Sequence, residues 1–343
     1  MSDNKTISAA DGKIASVLNP SVPGSAEQNL EKAAKQDKIK KIIKQLLPLV
    51  GVIFVVVLFE ILSDGKLLAA KSIKAMYNQA YTIFICTVAA VYVMATGNLD
   101  FSMGANMGFA ATLGCFIAFA NTSLTLPACI LIGLTVGVIT GVIQIYAKIP
   151  SFIACLCMMF ILQAVTQTLT NGSSKMLPTS MMTGDMETFK ILFLIAYVAV
   201  MYVVFNYTRV GKSLKAMGIS EEASTQSGIK CAKMHIIAYC ITGAAAGLAG
   251  YFSLMRTYCA SYMTGQTMTV DVIIAIVLGG MSVSGGASSK IGAALFGTIM
   301  TVVLCNGITL AGLGGEYSQL IRGVLFVIVV AISADKSKNA IIQ

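Results

Sequence analysis

The sequence predicts an all-α polytopic membrane protein with about ten transmembrane helices and both termini on the inner side. Three observations predict it. The 343 residues are 56% hydrophobic and only 11% charged, against about a quarter charged in soluble domains. Apolar runs of about 20 residues, the length that crosses a bilayer, recur from residue 44 to residue 333. Most connections between them are short, so sequence neighbours pack side by side as helices.

Residues 1–43 form a polar tail rather than a cleavable signal peptide, because the first apolar run starts late and no small-residue cleavage pattern follows it. From Leu30 to Leu47 the chain is Lys-rich with apolar residues at helical spacing, the pattern of a helix lying on a membrane surface. A transmembrane domain, 44–333, then divides into runs at 44–62, 77–96, 101–120, 124–147, 150–170, 189–208, 234–256, 267–281, 290–310 and 316–333. A short polar tail, 334–343, ends the chain. The inner connections hold the basic N-terminal tail, Lys148, the loop 209–233, Lys290, Lys336 and Lys338. The outer ones hold Lys66, Lys71, Lys74, Lys175, Lys190 and Arg256. The inner side is richer in Lys and Arg, which places both termini inside. The net charge of +9 therefore reads as a topology signal and not as a nucleic-acid footprint.

Small residues four apart mark helix seams in lipid, where they let backbones approach closely. Gly133, Gly137 and Gly141 have this spacing, as do Gly104 with Gly108 and Gly243 with Gly247. The nine cysteines lie mostly within apolar segments and read as small buried hydrophobes. Cys155 and Cys157 are two apart and face opposite ways on a helix. His235 is the single histidine, so no His pair is available for a metal.

Polar residues within the apolar runs mark candidate functional positions, because an ionisable group in a span is costly. Asn98, Asp100 and Ser102 sit in GNLDFSMGAN, where the helix is expected to break. Two readings stay open there: a broken helix lining a solute path, tolerated at membrane depth only beside a cavity or within protein, or a short cytosolic turn in which Asp100 or Ser102 caps the next helix. Asp271 either caps a helix at the outer face or approaches the path. Asn306, Gln319 and Arg322 lie in the last two runs, and Arg322 has the alternative of snorkelling to the interface.

Several activities find no residues. There is no Walker A pattern and no Ser/His/Asp set, and no carboxylates run through the spans as in ion-coupled carriers. The chain reads as a transporter component and not an enzyme, and active transport would draw its energy from another subunit.

The segment Arg209–Lys233, RVGKSLKAMGISEEASTQSGIKCAK, is the one long charged interruption in the apolar domain. Through Thr208, Gly211, Lys212, Ala216, Gly218, Glu222, Ala223, Ser227 and Gly228 it resembles the cytosolic loop of bacterial ABC importer permeases of the ribose type. GNLDFSMGA (97–105), IPSFIACLCMMFI (149–161) and AIVLGGMSVSGGASSKIGAALFGTI (275–299) resemble further motifs of that family, in the same order. The resemblance covers roughly 45–333 and departs from the family pattern at Asn98, where a Gly is usual, and at Ser224 and Thr225.

The resemblance implies a type II ABC importer-like permease in the bacterial cytoplasmic membrane. Its partners would be ATP-binding subunits, which hold the ATP, an extracytoplasmic solute-binding protein, and a second permease copy or homologue. The permease itself would need no cofactor, contact lipid, and bind no nucleic acid. It also implies a short coupling helix docking on the ATPase, carried by Gly218, Glu221, Glu222, Ala223, Ser227 and Gly228. Glu221 and Glu222 suit the first turn of such a helix, where its dipole favours acids, and Gly218 and Gly228 suit its boundaries. The implied solute is a monosaccharide such as ribose, xylose or galactose, or a related polyol. The alternatives are a nucleoside or autoinducer-2, or a standalone channel or secondary carrier.

Overall fold

The computed structural model describes residues 51–181 and 187–312 and most positions from 317 to 327. The tail 1–43, the expected surface helix at 30–47 and the tail 334–343 lie outside the described residues.

The described chain is helical with one minimal sheet. In order, α1 covers Gly51–Leu62, α2 Ala70–Ala95, α3 Met103–Ala120, α4 Thr125–Ala147, α5 Ser151–Thr170, α6 Glu187–Tyr207, α7 Arg209–Met217, α8 Glu221–Gln226, α9 Cys231–Thr257, α10 Met268–Leu278 and α11 Ile291–Leu310. The described positions between 317 and 327 are also helical. Among the described residues seven helices are long and apolar enough to cross a membrane: α2, α3, α4, α5, α6, α9 and α11.

Helices α2 and α9 form the centre. From Tyr81 to Ala95 every residue of α2 is buried except Phe84. The opposite case is α6, whose Leu192, Ile195 and Val200 are more than 60% exposed, as lipid-facing side chains are. Glycines set the central seam. A Cβ on Gly133 would strike Gly243 O, one on Gly137 would strike Tyr239 O, and one on Gly247 would strike Cys129 O. The small-residue spacing in α4 and α9 is thus one interface read from both sides.

The connections alternate between two ends. At one end, Gly286 N donates to Ala95 O at 3.0 Å, Ser151 Oγ donates to Leu99 O at 3.2 Å, and Gly218 packs on the Ala95 carbonyl and on Gly286. At the other end, β1 (Lys175–Met176) pairs antiparallel with β2 (Cys259–Ala260). Thr125 Oγ1 meets Met181 Sδ there at 3.9 Å.

Two segments depart from the expected spans. The run 267–281 was expected to cross, but α10 has 11 residues and rises only about 16 Å, half of a bilayer core. Gly279 and Gly280, the latter at φ 91°, end it. Residues 261–267, between β2 and α10, are turns packed against α3: a Cβ on Gly104 would strike Gly265 O, and one on Gly108 would strike Thr264 O. Gly104 and Gly108 therefore admit an irregular chain, not a neighbouring helix. The loop 209–233 is not a single connector either, since it carries both α7 and α8.

Candidate functional site

At the end of the bundle that bears α7 and α8, burial of Gly211, Leu214 and Met217 turns one stripe of α7 inward. Lys215 lies 4.3 Å over the Phe205 ring and donates to Asn206 Oδ1 at 2.9 Å. Burial lowers the Lys215 pKa. Gly218 stands at the end of α7 with φ −70°, so closeness to Ala95 and Gly286, and not a left-handed turn, requires glycine there. Ser220 then caps α8, its Oγ accepting from Ala223 N at 3.2 Å. Glu221 and Glu222 occupy the first turn, and Gly228 at φ 83° ends the segment. Six residues of α8 sit inside the expected Gly218–Gly228 stretch. Only Ser224 among them is buried, and Glu222, Ala223 and Ser227 face outward together with Ile219, which is 69% exposed.

The segment 96–102 runs from this end into the bundle along α9. Asn98 Nδ2 lies 3.3 Å from His235 Nδ1, and Asp100 Oδ2 accepts from Thr242 Oγ1 at 3.1 Å. Seven residues of helix separate those partners, a climb of about 10 Å. Asp100 Oδ1 also accepts from Ser102 N at 2.9 Å and from Ser102 Oγ at 2.6 Å. The break in GNLDFSMGAN is therefore present, and within it Asp100 holds Ser102, the residue that precedes α3, without capping the helix itself.

The starts of α3 and α10 meet. Gly104 N donates to Thr269 Oγ1 at 3.0 Å, and Thr269 Oγ1 donates to Phe101 O at 3.3 Å. Two helix N-termini, each preceded by non-helical chain, thus converge inside the bundle. Nearby, Asp271 pairs with Arg322, Nη1 to Oδ2 at 3.3 Å, with side chains 4% and 15% exposed. Cys305 Sγ donates to the other Asp271 oxygen at 3.8 Å. A cavity of about 320 Å³ opens here, lined by Gln266, Thr267, Val270, Gln319, Arg322 and Gly323. Arg322 turns inward to this pair, and Asp271 stands in the first turn of α10. Asn306 is set apart: its Nδ2 donates to Gln79 Oε1 at 2.7 Å, and it lines a smaller cavity of about 190 Å³ with Lys71, Ser72, Ala75, Thr309 and Leu310.

The structure thus places Gln319 and Arg322 on one cavity, with Asp271 behind Arg322, gathers Asn98, Asp100 and Ser102 in the segment before α3, and gives Asn306 to another cavity. Sequence reasoning did not single out Thr242, Thr269, Gln266 and Gln79. These uncharged residues sit at ordinary positions in apolar helices or turns, and only their partners distinguish them.

The family described as "branched-chain amino acid transport system / permease component" matches residues 72–330. The chain is 30% identical over 274 residues to the ribose import permease protein of Escherichia coli strain K12, covering 74% of this chain and 82% of that one. It is 26% identical over 325 residues to the Bacillus subtilis strain 168 ribose import permease protein, covering 91% and 99%. It is also 26% identical over 302 residues to the fructose import permease protein of Rhizobium meliloti, covering 83% and 84%. No solved structure matches the chain significantly.

Proposed function

Because the chain belongs to the family of branched-chain amino acid transport system permease components, we propose that it is the transmembrane permease subunit of an ATP-driven importer for a monosaccharide or related polyol. The observation that carries this reading is the similarity to ribose and fructose import permeases along most of the chain. In this reading the protein crosses the bacterial cytoplasmic membrane about ten times, α10 counting as a broken crossing, with the tails 1–43 and 334–343 in the cytosol. ATP is bound and hydrolysed on a separate subunit, a binding protein delivers the solute, and two permease copies, or this chain and a homologue, enclose the path.

The α8 end faces the cytosol. Gly218, Glu221, Glu222, Ala223, Ser227 and Gly228 form the face that meets the ATPase. An exposed Ile219 beside a short helix with few buried residues is what a docking surface of this kind needs. ATP-driven closure would push α8 and move the bundle between outward and inward states. The path runs past the converging starts of α3 and α10, since irregular backbone at membrane depth is stable where it lines a polar cavity. Gln266, Thr267, Gln319 and Arg322 supply neutral and charged hydrogen-bonding groups there, suited to a polyhydroxylated solute.

Proteoliposomes holding the chain with its ATPase and binding protein should accumulate labelled ribose or fructose only with ATP, and the chain alone should pass neither. Flux through the chain alone would establish a channel or secondary carrier instead. A thermal-shift screen of the binding protein should rank a sugar first. A nucleoside or autoinducer-2 in that place would replace the sugar, and the autoinducer 2 import system permease protein of Escherichia coli strain K12 / DH10B is 27% identical over 248 residues. Ala223→Arg places a bulky cation on the exposed face of α8 and should lower ATP-driven uptake at least about tenfold, a difference of roughly 1.4 kcal/mol, while the protein still inserts. Normal uptake by this variant would remove α8 from the coupling role.

A further inference from the structure

His235 is the only histidine in the chain. It stands in the second turn of α9 with its side chain 6% exposed, while its partner Glu221 on α8 is 59% exposed. Both ring nitrogens have partners. Nε2 lies 3.2 Å from Glu221 Oε1, and Nδ1 lies 3.3 Å from Asn98 Nδ2. An ionised carboxylate only accepts, and an amide nitrogen only donates. The neutral ring carrying its proton on Nε2 satisfies both neighbours at once: it donates to Glu221 and accepts from Asn98. Asn98 Nδ2 also donates to Thr96 Oγ1 at 3.2 Å, and that hydroxyl donates to Val93 O at 2.7 Å. An unbroken polar chain therefore runs from the exposed first turn of α8, through one buried ring, to the last turn of α2 and the segment 96–102. Two residues beyond Asn98, Asp100 holds Ser102 N, directly before the point where α3 meets α10.

We propose that His235 is a positioning residue that transmits movement of α8 to the 96–102 segment, and so to the start of α3 beside the solute path. The proposal rests on α8 being the coupling helix. It adds the route by which a push there travels inward. Other contacts of this loop lead elsewhere: Gly218 against Ala95 and Gly286 meets the end of α2 and the loop after α10, and Thr225 Oγ1 lies 3.2 Å from Cys231 Sγ at the start of α9. The His235 chain is what joins α8 itself to Asn98. A buried ring held only for packing would be replaceable by any side chain of similar size, whereas a relay needs one acceptor and one donor at the two ring positions.

The test follows hydrogen exchange in the chain assembled with its ATPase, with and without ATP and vanadate, and requires no knowledge of the solute. In the parent protein nucleotide should alter exchange both at 208–230 and at 96–102. His235→Phe, which fills the space without hydrogen bonds, should keep the response at 208–230 and reduce the one at 96–102 about fivefold, the scale of one lost hydrogen bond. His235→Gln, whose amide can accept from Asn98 and donate to Glu221, should restore most of it. Asn98→Ala breaks the chain at its inner end, leaves α8 and the buried ring in place, and should give the same selective loss if the Phe variant does not fold. An undiminished response at 96–102 in His235→Phe or Asn98→Ala would overturn the relay and leave α8 as the coupling helix. Absence of any nucleotide response at 208–230 in the parent would overturn the coupling role of α8 and the relay with it.

Discussion

Arg322→Ala should destabilise the protein by about 3–5 kcal/mol, because it leaves the buried Asp271 carboxylate without its cation. The carboxylate would then have to stay charged in an apolar site or take up a proton. Its other side-chain donors are Thr267, in the preceding turn, and Cys305 Sγ at 3.8 Å, a weak one. Unfolding can be followed with a thiol-reactive dye, since Cys86, Cys115, Cys129, Cys155, Cys231 and Cys305 are buried and become reactive when the fold opens. Adding Asp271→Asn to Arg322→Ala removes the unpaired charge and should recover at least half of the loss. If Arg322→Ala melts with the parent, or if Asp271→Asn recovers nothing, the pair does not carry this weight.

Gly243→Leu should prevent the folded protein from accumulating. The first carbon of the new side chain would already strike the Gly133 carbonyl and the Gly137 backbone, and neither can rotate away. Overpacking against movable side chains costs about 1–3 kcal/mol. Against backbone on a seam of the two helices it lies at or beyond the top of that range, because α4 and α9 must separate along their length. Gly137→Leu should behave alike, through the Tyr239 carbonyl. Gly292→Ala is the contrasting case: a Cβ there meets nothing within 4 Å, and in a helix the change should be neutral or gain about 0.5–1 kcal/mol. Yield of monodisperse protein and the same dye melt distinguish the two classes. Equal behaviour of Gly243→Leu and Gly292→Ala would mean that the seam is not close-packed.

How much of this was legible in the sequence follows from the range of each interaction. The run 77–96 became α2 at Ala70–Ala95 and 124–147 became α4 at Thr125–Ala147, because hydropathy summed over a turn or more is a local property. The glycine spacing at 133, 137, 141, 243 and 247 announced a seam for the same reason. The stretch Gly218–Gly228 was readable as a helix site from Ser220, Glu221 and Glu222, which act within one turn. The run 267–281 misled, since its composition is as apolar as that of a crossing. Its length as a helix was set by Thr264 and Gly265 lodging against Gly108 and Gly104, more than 150 residues earlier in the chain.

The site was legible as a set of residue types and not as an arrangement. Asp100, Asp271, Gln319 and Arg322 stand out in the sequence because polar groups in apolar runs are expensive, yet nothing in their spacing shows that Asp271 takes Arg322, or that Asn306 turns away to Gln79. His235 carried no signal beyond being the lone histidine. Its meaning came from Asn98, 137 residues before it.

By itself, the sequence determined that this chain is a bundle of membrane helices, where its close-packed faces lie, and that one charged loop carries a short helix on one side. These follow from hydropathy, residue size and capping, each acting within a few turns. Only the tertiary structure decided that α3 and α10 start beside one another inside the bundle, that a cavity opens there against Arg322, and that Glu221, His235 and Asn98 form one chain. Those depend on distances between residues remote in sequence, which are settled when α2, α4 and α9 pack and each buried polar group must find its partner.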